Sequence, residues 1–380
     1  MMSRQAVFEA SLRYFLQPIG EFLDDPSITE IMVNGYEQVF IERKGKIQDT
    51  ESGFHSEDAL RSAVNNLAQS VGREISEDHP VLDARLPDGS RVHAIIPPSS
   101  RVGTCLTIRK FSSEPLTLED LIGFGSLTES AREFLEICVR LRKNVIISGG
   151  SGTGKTSMLG ALSRAIPETE RIIVIEDTSE LRLHQKHCLY LEAQPATKTT
   201  QSEMDIRELF RSSLRMRPDR IIVGEVRAGE ALDLIQSMIS GHEGSLSTVH
   251  ASSAVDAMVR LETLSLMSDV EIPVYVARAQ VASAIDLIIQ LTRSNEDGRR
   301  RIHAITEAGR LTSDQQYQFN ELYTLKPVKA AANSESDERV EMQLTPTGSV
   351  PQFCQEPYES GMANRIKASK SMWSRPTNIN

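Results

Sequence analysis

The chain has 380 residues and a formal net charge of -10, a length that makes about two domains on a prior of ~150 residues each. The acidic balance argues against broad electrostatic contact with nucleic acid, which needs a basic face, so no direct nucleic-acid binding is expected. No window approaches the roughly 20 apolar residues of a membrane-spanning helix. Residues 1–9 carry no apolar signal core, and Cys105, Cys138, Cys188 and Cys354 have neither metal-ligand nor redox spacing. These features predict a cytoplasmic protein with reduced thiols, unless a partner holds it at a membrane.

Residues 1–110 read as a small α/β domain. Segments 29–33 and 39–42 are β-rich and flank Asn34-Gly35, a turn signal. From Glu57 onward, Leu60, Val64, Leu67 and Val71 recur at i, i+4, i+7 and i+11. That is one face of an amphipathic helix, ending at Gly72. Segments 91–96 and 104–109 look like strands separated by a loop with Pro97, Pro98 and Gly103. Residues 111–119 form the expected linker.

A second α/β pattern fills 120–325. A helix at 129–141 leads into an apolar strand at 144–148 and a glycine-rich loop. The next helix starts at Lys155 with Met158, Leu162 and Ala165 on one face. Short apolar strands follow at 171–175, 220–223 and 245–249. Strands alternating with helices imply a largely parallel, buried sheet with crossover helices. Residues 326–380 are rich in Ser, Pro, Asn and charge without periodicity. They are expected to be disordered or loosely packed.

The loop Gly149-Gly150-Ser151-Gly152-Thr153-Gly154-Lys155-Thr156 matches G-x-x-x-x-G-K-[ST] between a strand and a helix. Glycines let successive N–H groups turn inward around phosphates, and the helix N-terminus adds its positive end. Lys155 is expected to reach the β- and γ-phosphates of ATP, and Thr156 to ligate Mg²⁺. Hydrolysis also needs an acid to order Mg²⁺ and water. Two strand ends offer one: Glu176-Asp177 after 171–175, and Glu225 after 220–223. Carboxyl ends of parallel strands are where such sheets bind ligands. His250, after a further strand and among small polar residues, is a candidate γ-phosphate sensor.

Several segments together resemble the secretion-superfamily ATPases of bacterial type II and type IV secretion and pilus systems, most of all the CpaF type of tight-adherence pili. They are 83–91 (DARLPDGSR), 106–111 (LTIRKF), the phosphate loop, Ile175-Glu176-Asp177, 214–220 (LRMRPDR) continuing to Arg227, and 241–251 (GHEGSLSTVHA). The resemblance implies a small PAS-like α+β domain followed by a RecA-like P-loop domain, the whole an α/β chain. It implies Glu176 as catalytic acid, Glu225 as the Walker B glutamate that positions water and Mg²⁺, and His250 as the His-box residue. Arg91 and Arg109 match arginines that reach the γ-phosphate when the N-terminal domain closes about the 111–117 hinge. It further implies a homohexamer working on an inner-membrane platform protein. A conjugation or type IV secretion ATPase of the TrbB or VirB type is the alternative.

Overall fold

A computed structural model describes residues 11–376, apart from 44, 87, 111–114, 195–203, 295–296 and 330–339. The chain divides into two compact units, Met1–Glu114 and Pro115–Asn380. The expected hinge falls in part on 111–114, outside the described residues. The linker expected at 111–119 is shorter at its far end. Thr117 caps the helix Leu118–Gly123 by accepting from Asp120 N (3.1 Å), while Asp120 Oδ2 accepts from Thr117 N (2.8 Å). That reciprocal pair satisfies two helix-end donors and starts the element earlier than composition indicates.

The first unit is a six-stranded antiparallel sheet in the order β3-β2-β1-β6-β5-β4. Its strands are β1 (Ile28–Asn34), β2 (Gln38–Arg43), β3 (Lys46–Asp49), β4 (Val81–Arg85), β5 (Arg91–Ile95) and β6 (Cys105–Arg109). Ile28, Ile31 and Val33 are all buried although their parity changes, because the β1–β2 register shifts between Ile28 and Glu30. A short helix, α1 (Gly20–Asp24), precedes the sheet. The helix α2 (Glu57–Ser70) starts where Ser56 Oγ accepts from Ala59 N, and buries Leu60, Val64 and Leu67 completely. The expected helix and four expected strands are present. β3 escapes sequence reading because all its residues are exposed, and β4 because only Leu82 is buried.

The second unit holds a nine-stranded sheet in the order β15-β14-β13-β12-β7-β11-β10-β8-β9. Six strands are mutually parallel: β7 (Val145–Ser148), β8 (Ile172–Glu176), β9 (Cys188–Glu192), β10 (Arg220–Val226), β11 (Leu246–Val249) and β12 (Leu287–Arg293). Ile172 to Ile175 are each 0 % exposed, the unbroken apolar run of a strand covered on both faces. Helices α3 (Leu118–Gly123), α4 (Glu129–Arg140), α5 (Lys155–Ser163), α6 (Ile206–Ser213), α7 (Glu230–Ile239), α8 (Ala254–Leu266) and α9 (Val274–Ala284) accompany them. Three antiparallel strands, β13 (Arg300–Gly309), β14 (Gln318–Lys329) and β15 (Val340–Pro346), extend the sheet.

The tail expected to be disordered over 326–380 is ordered at 326–329 and 340–376, with 330–339 and 377–380 outside the described residues. β15 pairs with β14 throughout its length, and Met372 and Trp373 are buried in the unit's core. Trp373 stacks on Phe134 of α4 at 5.2 Å. An irregular segment without periodicity is held by isolated anchors instead of a repeating face.

Candidate nucleotide site

β7 ends at Ser148, and α5 leaves the glycine loop at Lys155. Gly152 and Gly154 have φ of +69° and +93°, left-handed backbone that side chains resist. A Cβ on Gly149 would lie 2.5 Å from Thr153 Oγ1 and 3.1 Å from Leu291 O, so only glycine fits. Thr153 Oγ1 donates to Gly150 O at 2.8 Å and closes the turn. The first turn of α5 carries no acidic residue, which leaves its positive end open to an anion. Lys155 Nζ donates to Gly149 O and Gly150 O, both at 3.1 Å. These are neutral acceptors, and phosphate oxygens would form the stronger, charge-assisted bonds.

Strand order ranks the remaining candidates by distance from this loop. β11 lies beside β7, β10 beyond it, and β8 beyond that. At ~4.8 Å per strand, β10 stands about 10 Å from β7 and β8 about 14 Å. His250 directly follows β11 and is exposed. Its neighbour Ala251 accepts from Ser148 Oγ at 3.3 Å, so the His250 backbone is tied to the start of the phosphate loop.

Glu225 sits near the end of β10. Arg227 holds its Oε2 from Nε (3.0 Å) and Nη2 (2.6 Å), and reaches Asp177 Oδ2 through Nη1 (3.0 Å). Burial pulls Arg227 down, but the bond to Glu225 and the charges of Glu225 and Asp177 lift it above its ordinary value. The guanidinium therefore stays charged and fixes both carboxylates at the strand ends.

Glu176, on β8, is 4 % exposed. Its Oε1 accepts from the N–H groups of Glu180 (2.9 Å) and Leu181 (3.0 Å). A Cβ on Gly224 of the next strand would come within 2.9 Å of Glu176 Cγ. This carboxylate is bound into its own loop and shapes the strand end where Asp177 meets Arg227.

Segments 214–227 and 241–251 meet in one structural lock. Arg220 is buried, and donates to Glu170 Oε2 (2.5 Å), Gly244 O (3.0 Å) and Val139 O (2.7 Å). Gly244 has φ +81°, and a Cβ there would meet Arg220 Nη1 at 1.8 Å. Part of what these two segments encode is thus packing, with no chemistry attached.

In the first unit, Arg91 and Arg109 face each other across β5 and β6.

Sequence reading missed two arginines. Arg293, at the end of β12, has Nη1 3.4 Å from where a Gly152 Cβ would stand, and Arg300, opening β13, has Cδ 3.5 Å from that of Gly154. Both strands pair antiparallel around a turn containing Asp297-Gly298. That dipeptide after the apolar run 287–291 is the hairpin signal that marks the position. Thr156 and Glu225 offer hard oxygen donors suited to Mg²⁺. Among the described residues no group of three or more His, Cys, Asp or Glu could hold a metal.

Residues 15–360 match the family model described as type II/IV secretion system protein. The type IV secretion system protein PtlH of Bordetella pertussis is 35% identical over 319 residues, spanning 77% of this chain and 94% of its own length. VirB11 of Brucella suis, another type IV secretion system protein, is 33% identical, spanning 77% and 88%. The crystal structure of the pilus retraction motor PilT with bound ADP superposes with a TM-score of 0.54 at 21% identity, covering 80% of this chain and 84% of that one. At that identity the likeness concerns the fold, an α/β chain with a small first domain and a larger, mostly parallel second one. The chain belongs to the type II/IV secretion system protein family.

Proposed function

We propose that this protein is a Mg²⁺-dependent ATPase that works as a homohexamer and drives a bacterial secretion machine through an inner-membrane platform protein. The observation that carries the reading is the loop Gly149–Thr156, with left-handed Gly152 and Gly154 and an acid-free helix start. In this proposal the loop N–H groups and Lys155 hold the ATP phosphates. Thr156 and Glu225 hold Mg²⁺, whose chemistry is to neutralise developing phosphate charge. Glu225, two strands from the loop, positions the attacking water, while Glu176, one strand further and bound to its own loop, acts by positioning. His250 senses the γ-phosphate, and Arg91 and Arg109 supply cations to it. Of the two branches that the sequence leaves open, similarity to PtlH and VirB11 favours type IV secretion or conjugation over the CpaF-type pilus reading.

The test is phosphate release per subunit against protein concentration, with particle size measured on the same samples. The expected result is a Mg²⁺-dependent rate that rises with assembly. Glu225→Gln should keep ATP binding and lose about 10²–10⁴-fold in turnover. Full turnover in that variant overturns the role given to Glu225, and no phosphate release from an assembled ring overturns the motor.

A further inference from the structure

Helix α4 has a face that this reading leaves unused. Arg132, Glu136 and Arg140 follow at i, i+4 and i+8 and share one side of the helix. Residues 364–367 border that side, and an open cavity of about 360 Å³ lies between the two. The far wall is firmly built. Glu133 accepts from the N–H groups of Lys367 (2.8 Å), Ala368 (2.9 Å) and Ser369 (2.9 Å) and from Ser369 Oγ (2.7 Å). Trp373 Nε1 donates to Ser369 Oγ at 2.9 Å, and its ring stacks on Phe134.

The cations lining this cavity are unevenly partnered. Arg132 is held outside the cavity's chemistry by Glu129 (2.5 Å), Glu136 (2.6 Å) and Glu119 (3.5 Å), while among the described residues Arg140, Arg365 and Lys367 line the cavity without an ion-pair partner. Glu133 is already taken up by the N–H groups, and Glu136 by Arg132 at 2.6 Å. Arg140 is half-buried. Burial first, and then the neighbouring charge of Arg365, push it below its ordinary value, while Glu136 and Glu170 oppose this less strongly. Among the described residues neither guanidinium has a hydrogen-bond or ion-pair partner. Two guanidinium groups brought together beside a helix without an anion are costly to fold and suited to an oxyanion.

We propose that this cavity is a binding site for a phosphomonoester, on a soluble small molecule or on a lipid headgroup. Such a group carries about -1.5 to -2 charge at neutral pH, which suits the three cations Arg140, Arg365 and Lys367. The volume falls in the ~300–1,000 Å³ range of small-molecule sites, larger than a bare phosphate requires. Asn364, Arg365 and Lys367 lie beyond the family match at 15–360, while the α4 wall lies within it.

The test uses the full chain carrying Lys155→Ala, so that the phosphate loop does not contribute. Two probes are applied: glycerol 3-phosphate by titration calorimetry, and co-sedimentation with phosphatidylcholine vesicles with and without phosphatidic acid. We expect binding to at least one probe, weakened about tenfold or more by Arg140→Gln and by Arg365→Gln. Glycerol 3-phosphate binding identifies a soluble ligand. Binding only to phosphatidic acid vesicles identifies a headgroup. Arg365 is exposed, so Arg365→Gln alone decides the matter if Arg140→Gln fails to fold, as judged by the emission of Trp373, the single tryptophan. Failure to bind either probe, or binding that the variants leave unchanged, overturns the proposal.

Discussion

The phosphate loop and the C-terminal segment 361–376 are held in place by opposite means. The loop is fixed by backbone: left-handed glycines, a Thr153 hydroxyl on Gly150 O, and a helix start. Its determinants lie within eight consecutive positions. The C-terminal segment is fixed by single side chains over long sequence distances. Trp373 packs on Phe134, and Glu133 gathers three N–H groups from 367–369. Each region is therefore vulnerable in a different place. The loop's backbone conformation is set mainly by its own residues, whereas the segment depends on two or three residues far away in the chain.

The C-terminal segment is most sensitive at its aromatic anchor. Trp373→Ala removes a ring that is 6 % exposed against a fully buried Phe134. It should cost about 3–5 kcal/mol of stability in the second unit, measured by denaturant unfolding. A loss within ~0.5 kcal/mol would mean that the segment is not part of the core. Next in size is Lys155→Ala, in which stability should hold while nucleotide affinity falls. Losing charge-assisted bonds costs roughly 1.5–3 kcal/mol, about 10- to 150-fold in Kd. Unchanged ADP and ATP affinity would remove Lys155 from the site.

These two regions also mark how far the sequence is legible. The strand-loop-helix around Gly149–Thr156 and the face Leu60, Val64, Leu67 are local, periodic patterns, so the order of residues along the chain is enough to recognise them. Strand-end acids Glu176 and Glu225 are visible too, but not their order across the sheet, because β11 enters between β7 and β10 from later in the chain. That order separates a carboxylate two strands from the loop from one three strands away. Arg293 and Arg300 reach Gly152 and Gly154 through a strand pairing far along the chain from the loop, which no local pattern encodes. The C-terminal segment escapes for the same reason: one tryptophan and one buried glutamate leave no period to detect.

Arg293→Ala probes the loop from outside its own eight residues. Its guanidinium lies against Gly152, so we expect about a tenfold loss of ADP affinity, ~1.4 kcal/mol, with the fold intact. Equal affinity in mutant and parent would leave Arg293 as a structural neighbour only.

Glu133 gives the C-terminal segment a mild dependence on pH. Burial raises the Glu133 carboxyl, but the N–H groups of Ala368, Ser369 and Lys367 and the Ser369 hydroxyl outweigh it and hold the group below its ordinary value of 4.5. A depressed value in the folded state means that the carboxylate contributes stability above about pH 4.5 and loses it as pH falls through the folded value. Trp373 stacks four residues beyond this clamp, so its emission reports the loss. Acid titration should shift that emission below pH 4.5, in a step that Glu133→Gln abolishes at a cost of about 1 kcal/mol at neutral pH. Superimposable titrations of the two proteins would mean that the segment is held by the aromatic stack alone, and that the carboxylate merely accompanies it.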